Sequence, residues 1–522
     1  MPAHRANPAW LGGRDLFILD LANNHQGSVE HALAIIAACG EAVRAAGVQA
    51  AVKFQFRELD TFIHPAYREA DDPQHIKRFL STRLGPEDWR RLAEAVGKAG
   101  LRTMSTPFDE ASVDLIERLD LDFVKIASCS AADWPLLERV AASGKPVVFS
   151  TGGLSLDEID NIVSFSEHRA LNAAIMHCVS LYPTPSEDLE LHQIGLLRRR
   201  YPDFPIGWST HEDPDDGDPV QVAVALGATL FERHVGLGTG DIRLNGYSST
   251  PEQLARWFAA YRKARRMLGE QDGRHDSPDR EQEALAGLKR GVWTASPIEA
   301  GQRIAREDVF FAMPLQANQM VSGTWRDGMV AARDLPANEP VGLADVRGQA
   351  GDAIHRRVYG AIHQAKALLN TAGVRLPDDF RVEYSHHRGW GRFHEVGAFL
   401  IDVVNREYCK KYIIQIPGQR HPAHYHKLKE ETFVVLFGEL RATIDGRERV
   451  LYPGDQALVL PGVWHDFHTR TGVVFEEIST THHNDDSVYQ DPTIERLARG
   501  RRKTVVDHWG RFQLKGIPRD GG

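Results

Sequence analysis

His424 and His426 are separated by one residue, and Glu431 follows five positions after His426. In a strand, side chains i and i+2 point to the same side, so these two imidazoles can reach one ion. His465, after the turn Pro461-Gly462, can bring a third imidazole, and Glu431 an oxygen. Three nitrogens and a carboxylate suit a divalent transition metal (Mn, Fe, Ni or Zn), and ligand softness does not choose among them. Lys429 lies in the same stretch, whereas His421, His468, His482 and His483 read as exposed loop histidines.

A second pair stands in the amino-terminal half. His211 (in GWSTHE) and His234 (in FERHVG) each end a short apolar run. Neighbouring strands lie ~4.8 Å apart, so the two imidazoles can share an ion. So few protein ligands leave positions for water and substrate, as a catalytic metal needs. Lys53 and Lys125 sit inside the apolar runs AAVKFQF and DFVKIAS. An unpaired buried charge is costly. Either Asp20 and Glu232 neutralise the lysines within the protein, or a bound phosphate and carboxylate do. Thr106, Ser128, Ser150 and Ser209 add hydroxyl donors at other run ends, completing a phosphate-sized anion site. With no GxGxxG or Walker loop, that phosphate does not belong to a dinucleotide or to ATP.

These residues need a frame to bring them together. Eight apolar runs, Leu16–Leu19, Ala51–Phe54, Arg102–Ser105, Phe123–Ala127, Val147–Ser150, Ala173–His177, Pro205–Trp208 and Thr229–Glu232, alternate with amphipathic helical segments. Ser28 can cap one helix with the stripe Ala32, Ile36, Cys39, Val43 and Ala46, and Pro86 can open another with Trp89, Leu92 and Val96 inward. Strand then helix, eight times over roughly 250 residues, predicts an α/β fold, the (β/α)8 TIM barrel, with its site at the carboxyl ends of the strands. Asp20, Lys53, Thr106, Lys125, Ser150, Tyr182, His211 and His234 stand at those ends. The polar stretch 270–283 reads as a linker. A small α+β module with a near-repeat (295–309 and 332–346) comes next. The strands KKYIIQI, TFVVLFG, LRATIDG, RVLYPGD, QALVLP and GVVFEEI then predict an all-β jelly roll. The expected domains are 1–272, 285–350 and 352–522.

A net charge of −9 without a long basic stripe argues against a nucleic-acid partner. No apolar run approaches ~18 residues, so no membrane span is expected. The amino end lacks the apolar core of a signal peptide. Cys39, Cys129, Cys178 and Cys409 are dispersed among apolar neighbours and read as buried thiols in a cytoplasmic protein.

NNHQGS, VKFQ, STPFD, VKIAS, STGG, HCVSLYPTP, IGWSTH and ERH resemble the sialic acid synthase family, across the whole barrel. The small module is similar to the antifreeze-like (SAF) domain that follows in that family. The resemblance implies phosphoenolpyruvate and a small sugar as substrates and a divalent ion, usually manganese, on His211 and His234. Lys53, Thr106, Lys125, Ser128, Ser150 and Ser209 would hold phosphoenolpyruvate, with Gln55, Tyr182 and Glu232 on the sugar side. It also implies a homodimer in which the SAF module closes over the partner's barrel. In the chemistry so implied, C3 of phosphoenolpyruvate attacks an open-chain aldose, water adds at C2, and phosphate leaves by C–O cleavage, a nearby carboxylate managing the proton.

The chain departs from the family at Asp20 and Ser130 (usually Glu), Ser180 (usually Asn), Asn245 (usually Asp) and Met313 (usually Arg). These departures suggest an acceptor other than N-acetylmannosamine. Gly418, His424, His426, Glu431 and Gly438 fit the cupin pattern G-x5-H-x-H-x4-E-x6-G. With Lys429, the stretch resembles lyxose-isomerase-type sugar isomerases, implying a cupin that isomerises, epimerises or binds the sugar. The competing readings are an aldolase or lyase acting on a phosphorylated sugar acid, and a sugar-binding or regulatory protein with a non-catalytic barrel.

Overall fold

The structure is a computed structural model describing residues 15–68, 74–269, 274–347 and 351–510. Contacts divide the chain between Gly273 and Arg274 into two compact units. In the first unit, eight parallel strands close into a barrel in sequence order. They are β1 (Leu16–Asp20), β2 (Gln49–Phe56), β3 (Arg102–Pro107), β4 (Phe123–Ile126), β5 (Val147–Ser150), β6 (Ala173–Cys178), β7 (Ile206–Thr210) and β8 (Leu230–His234). Several extend past the predicted apolar run because their polar ends still pair with neighbours, as Thr210 does with Arg233 and Asp20 with His234. That extension keeps the functional ends of β1, β7 and β8 inside regular structure.

Aromatic packing closes the ring. Phe17 on β1 stacks on Phe231 of β8, with ring centroids 5.2 Å apart. It meets Trp257, Phe258 and Tyr261 edge-on, all from the helix Pro251–Leu268. Burying one such side chain contributes roughly 1.5–3 kcal/mol, and here that energy ties the first strand to the last. Ser28 caps the helix Val29–Ala46 by accepting from the His31 N–H, and Ala32, Ile36, Cys39, Val43 and Ala46 are buried. Trp89, Leu92 and Val96 are buried beneath β2.

Two expectations are corrected. A helix, Asp279–Ala286, begins within the stretch read as linker, where Asp279 and Glu281 favour the positive end of its dipole; residues 270–273 lie outside the described residues. Cys129 is exposed, because it stands on a tight 3-10 turn, Ser128–Ser130, at the barrel mouth, whereas Cys39, Cys178 and Cys409 are buried.

In the second unit, the near-repeat of the small module forms two matching turns. Arg306–Asp308 and Leu343–Asp345 are both 3-10 turns, and Asp308 and Asp345 each accept a backbone N–H at 2.8 Å. Ile298 and Leu335 bridge the two copies and are buried. The carboxyl-terminal region is a sandwich of a seven-stranded and a five-stranded sheet, cored by Phe433, Phe467 and Phe475 among others. The helix Gly351–Thr371, absent from the sequence reading, packs Val358, Ile362 and Leu369 against the larger sheet.

His25, in NNHQGS, is buried, and its Nδ1 accepts the Gly27 N–H at 3.1 Å. Burial, then the nearby His31 and Arg78, push its pKa down to about 4. An unfolded chain binds that proton near pH 6.5. The stabilisation from His25 is therefore complete above pH 6.5 and falls by about 1.4 kcal/mol per pH unit towards pH 4. Urea unfolding of the barrel at pH 7 and pH 5 should show this loss, with a shallower dependence in His25→Asn.

Candidate functional site

Period-2 alternation on β2 sends Phe54 and Phe56 outward onto Trp89 and Lys53 and Gln55 inward. The Lys53 Nζ lies 2.8 Å from Asp20 Oδ2 and 3.1 Å from Glu232 Oε1. Lys125, from β4, stands 3.5 Å from Glu232 Oε2 and donates to Ser150. Ser209 donates to Glu232 Oε1 at 3.2 Å, and Gln55 to Asp20 Oδ2 at 3.1 Å. All four charged groups are buried. Of the two ways to neutralise the lysines, pairing with Asp20 and Glu232 is the one seen. Burial alone disfavours the Lys53 ammonium, yet its two carboxylates outweigh this and raise its pKa. Burial and the Lys53 charge win at Lys125, whose pKa is lowered despite Glu232. Burial also opposes the Glu232 carboxylate, but the two ammoniums prevail and bring it down to about 2.

The hydroxyls gather around this array. Thr106 Oγ1 is buried without a hydrogen-bond partner among the described residues. Ser128 Oγ accepts the Gly152 N–H at 2.8 Å. A Cβ on Gly152 would collide with Ser180 Oγ and lie 2.9 Å from Ser128 Oγ, so the backbone approaches both serines only because residue 152 is glycine.

Above them, the His211 and His234 rings lie 5.3 Å apart. His211 Nδ1 faces the Val179 carbonyl at 3.1 Å, which makes it the donor and leaves Nε2 as acceptor. Burial, then the neighbouring His234, lowers the His211 pKa to about 3; burial lowers His234 as well. Both rings are neutral at pH 7, and Asp20 Oδ2 lies 3.4 Å from His234 Nε2. This donor set fits a divalent ion with open positions. Tyr182 lies against His211 (4.1 Å), and Tyr247 against His234 (5.2 Å). Asn245 Oδ1 is engaged locally, accepting the Tyr247 N–H, although the residue lines a cleft of about 480 Å³ beside Pro183, Asp213 and Gln253.

In the cupin-like sandwich, His424 and His426 stand on the strand Arg420–His426, and His465 faces His424 across the sheet. His424 Nδ1 donates to the Pro422 carbonyl (3.0 Å) and His465 Nδ1 to the Val463 carbonyl (3.1 Å). The ligand atoms of the three histidines all lie within 4.8 Å of one another. Glu431 Oε1 is 2.8 Å from His465 Nε2, and Oε2 is 3.5 Å from His426 Nε2. Lys429 is clamped between Glu431 (2.5 Å) and Glu477 (2.7 Å). Those carboxylates overcome burial and raise its pKa, and Lys429 donates to Glu477 Oε1. His421 is not an exposed loop residue. It is buried on the same strand, its Nε2 lies 3.1 Å from His387 Nε2, and its ring stacks on Phe467. The strand runs through Pro422 to Arg420, and the loop reading stopped it too early.

Sequence reasoning also missed Arg57, Tyr247 and the buried pair Glu212–Arg233. Arg57 continues the inward alternation Lys53, Gln55, which could have found it. Glu212 follows His211, and Arg233 precedes His234. The two pair with each other, buried, with the Arg233 guanidinium over Trp257 at 5.0 Å. This clamp ties β7 to β8 on the face opposite the histidines.

Sequence models described as the NeuB family, the SAF domain and the cupin domain match residues 40–273, 289–347 and 412–478. Human N-acetylneuraminate-9-phosphate synthase is 30% identical over 273 residues, covering 50% of this chain and 73% of that protein. A crystal structure of spore coat polysaccharide biosynthesis protein E from Chromobacterium violaceum is 45% identical, covering 64% of this chain and all of that one, with a TM-score of 0.61. The chain belongs to the NeuB family. N,N'-diacetyllegionaminic acid synthase of Legionella pneumophila is similar as well, 28% identical over 57% of this chain and 85% of that protein.

Removing one partner of a buried ion pair typically costs 3–5 kcal/mol. Arg233→Met should therefore lower the urea stability of the NeuB barrel by about that amount. A loss under about 1 kcal/mol, the range of exposed pairs, would show that the clamp is dispensable.

Proposed function

We propose that the barrel condenses phosphoenolpyruvate with an open-chain aldose to give a nonulosonic, sialic-acid-like sugar acid and phosphate. One observation carries this reading. Two buried lysines, with hydroxyls from Thr106, Ser128, Ser150 and Ser209, lie beneath two neutral histidines at the carboxyl mouth of a closed barrel.

Phosphoenolpyruvate would draw Lys53 and Lys125 partly away from Asp20 and Glu232. The hydroxyls then supply neutral donors to its phosphate and carboxylate. A divalent ion on His211 and His234, manganese by family resemblance, would supply Lewis acidity to the acceptor carbonyl. Gln55, Ser180, Tyr182 and Asn245 line the sugar side. The C3–carbonyl bond forms, water adds at C2, and the C2–O bond to phosphate breaks. Asp20, between Lys53, Gln55 and His234, is placed to take the proton from that water. Glu232, held ionised by the two lysines, pairs with both of them.

The cupin centre, His424, His426, His465 and Glu431, we assign to a second divalent transition metal that binds the sugar or isomerises it. Lys429 serves there as a charged donor orienting Glu431. We read the domains as 1–272, 285–350 and 352–522. The enzyme would act in the cytoplasm as a homodimer with the SAF module over the partner's barrel. Among the described residues, no helix is long and apolar enough to cross a membrane.

The deciding experiment follows phosphate release from phosphoenolpyruvate with hexoses, acetamidohexoses and their 6-phosphates. Release should require both substrates and manganese, and vanish with chelator and in His211→Ala and His234→Ala. Phosphate release that ignores the aldose would overturn the reading. Metal analysis should give two ions per chain, falling to one in a His424→Ala/His426→Ala variant. A variant that still holds both would remove the cupin metal.

A further inference from the structure

Lys53 and Gln55 on β2 face the interior of the barrel mouth, and Arg57, the first residue past the end of that strand, reaches back to Gln55. Lys53 and Gln55 are spent on Asp20. Arg57 has no such partner. Its guanidinium is sandwiched between the rings of Phe108, 3.6 Å from the centroid, and Phe79, 4.0 Å away. One N–H donates to Gln55 Oε1 at 3.2 Å, and Nε is buried with no acceptor among the described residues. The acids that act on it are committed elsewhere. Asp109 accepts the Ser112 and Glu58 N–H groups, and Asp20 holds Lys53 and Gln55. Burial, offset in part by Cys129, Asp20 and Asp109, lowers the Arg57 pKa to about 10.

A guanidinium offers five N–H donors in a rigid fork. Here two aromatic faces fix its plane, so its free edge is pre-oriented, and leaving a buried charged donor unpaired is costly. Arg57 follows the last residue of β2, so it stands nearer the rim than Lys53, which lies in the middle of that strand.

We infer that Arg57 is a specificity-determining residue that receives an anionic group, a phosphate ester or a carboxylate, at the far end of the acceptor sugar. This rests on the reading of the barrel as a synthase. Arg57 would form a forked hydrogen bond to that group, and Gln55 would relay its position to Asp20.

The test compares matched acceptors: a hexose or acetamidohexose, its 6-phosphate, and its uronic acid, each with saturating phosphoenolpyruvate. Wild type should favour a charged member of a set in kcat/KM, and the better of the two charged members identifies the group. Arg57→Met should cut that charged-to-neutral ratio by about 10- to 100-fold, the range for a hydrogen bond to a charged group. Arg57→Lys should restore part of it. Any disturbance of Gln55 and Asp20 lowers both acceptors alike and leaves the ratio untouched. An unchanged ratio, or an effect confined to the KM of phosphoenolpyruvate, would overturn the assignment. Should no acceptor release phosphate, the synthase reading fails separately. Calorimetric titration with the 6-phosphates then decides Arg57: weaker binding in the Met variant supports it, and equal or absent binding refutes it.

Discussion

Two ammonium groups cannot be sealed inside a barrel unless something negative touches them. In this chain Glu232 stands between Lys53 and Lys125, and Asp20 completes the set on the other side of Lys53. The four groups come from β1, β2, β4 and β8, so barrel closure and charge neutrality depend on each other. Without the aromatic contacts that hold β1 on β8, Asp20 and Glu232 would part from Lys53. Without the carboxylates, the desolvation of the lysines would oppose closure. In a site built this way the charges are balanced within the protein itself.

The cupin centre meets the same constraint differently. Two of its imidazoles, His424 and His465, are oriented by carbonyls that occupy Nδ1, which fixes the tautomer and leaves Nε2 free for a common centre, whereas His426 Nδ1 faces Ser487 and Asp486. Lys429 holds Glu431 from the far side. A divalent ion placed among three imidazoles and one carboxylate would be well liganded, and the Lys429–Glu477 contact shows how the second carboxylate is kept away from that role.

Family membership fixes the architecture of the barrel, and the individual residues give it its own character. Asp20 reaches Lys53, Gln55 and the edge of His234 at once. Arg57 adds a pre-oriented cation at the rim. Asn245, by contrast, spends its side-chain oxygen on its own turn.

Sequence by itself determined the eight-fold alternation of strand and helix, and with it which face of the barrel carries polar residues. It also determined the His424–His426 pair, because period-2 spacing in a strand is a local property. His421 and Arg57 were equally available to the same alternation. Tertiary structure alone decided which charges neutralise Lys53 and Lys125, since Asp20 and Glu232 are remote in sequence from both lysines. It alone made Lys429 a donor, because Glu477 reaches it from another strand. It also showed that Glu212 and Arg233, each beside a histidine, clamp β7 to β8. Local periodicity says which way a side chain points. Which charge it meets there depends on how strands far apart in sequence are brought together, and only the closed barrel and the packed sandwich fix that.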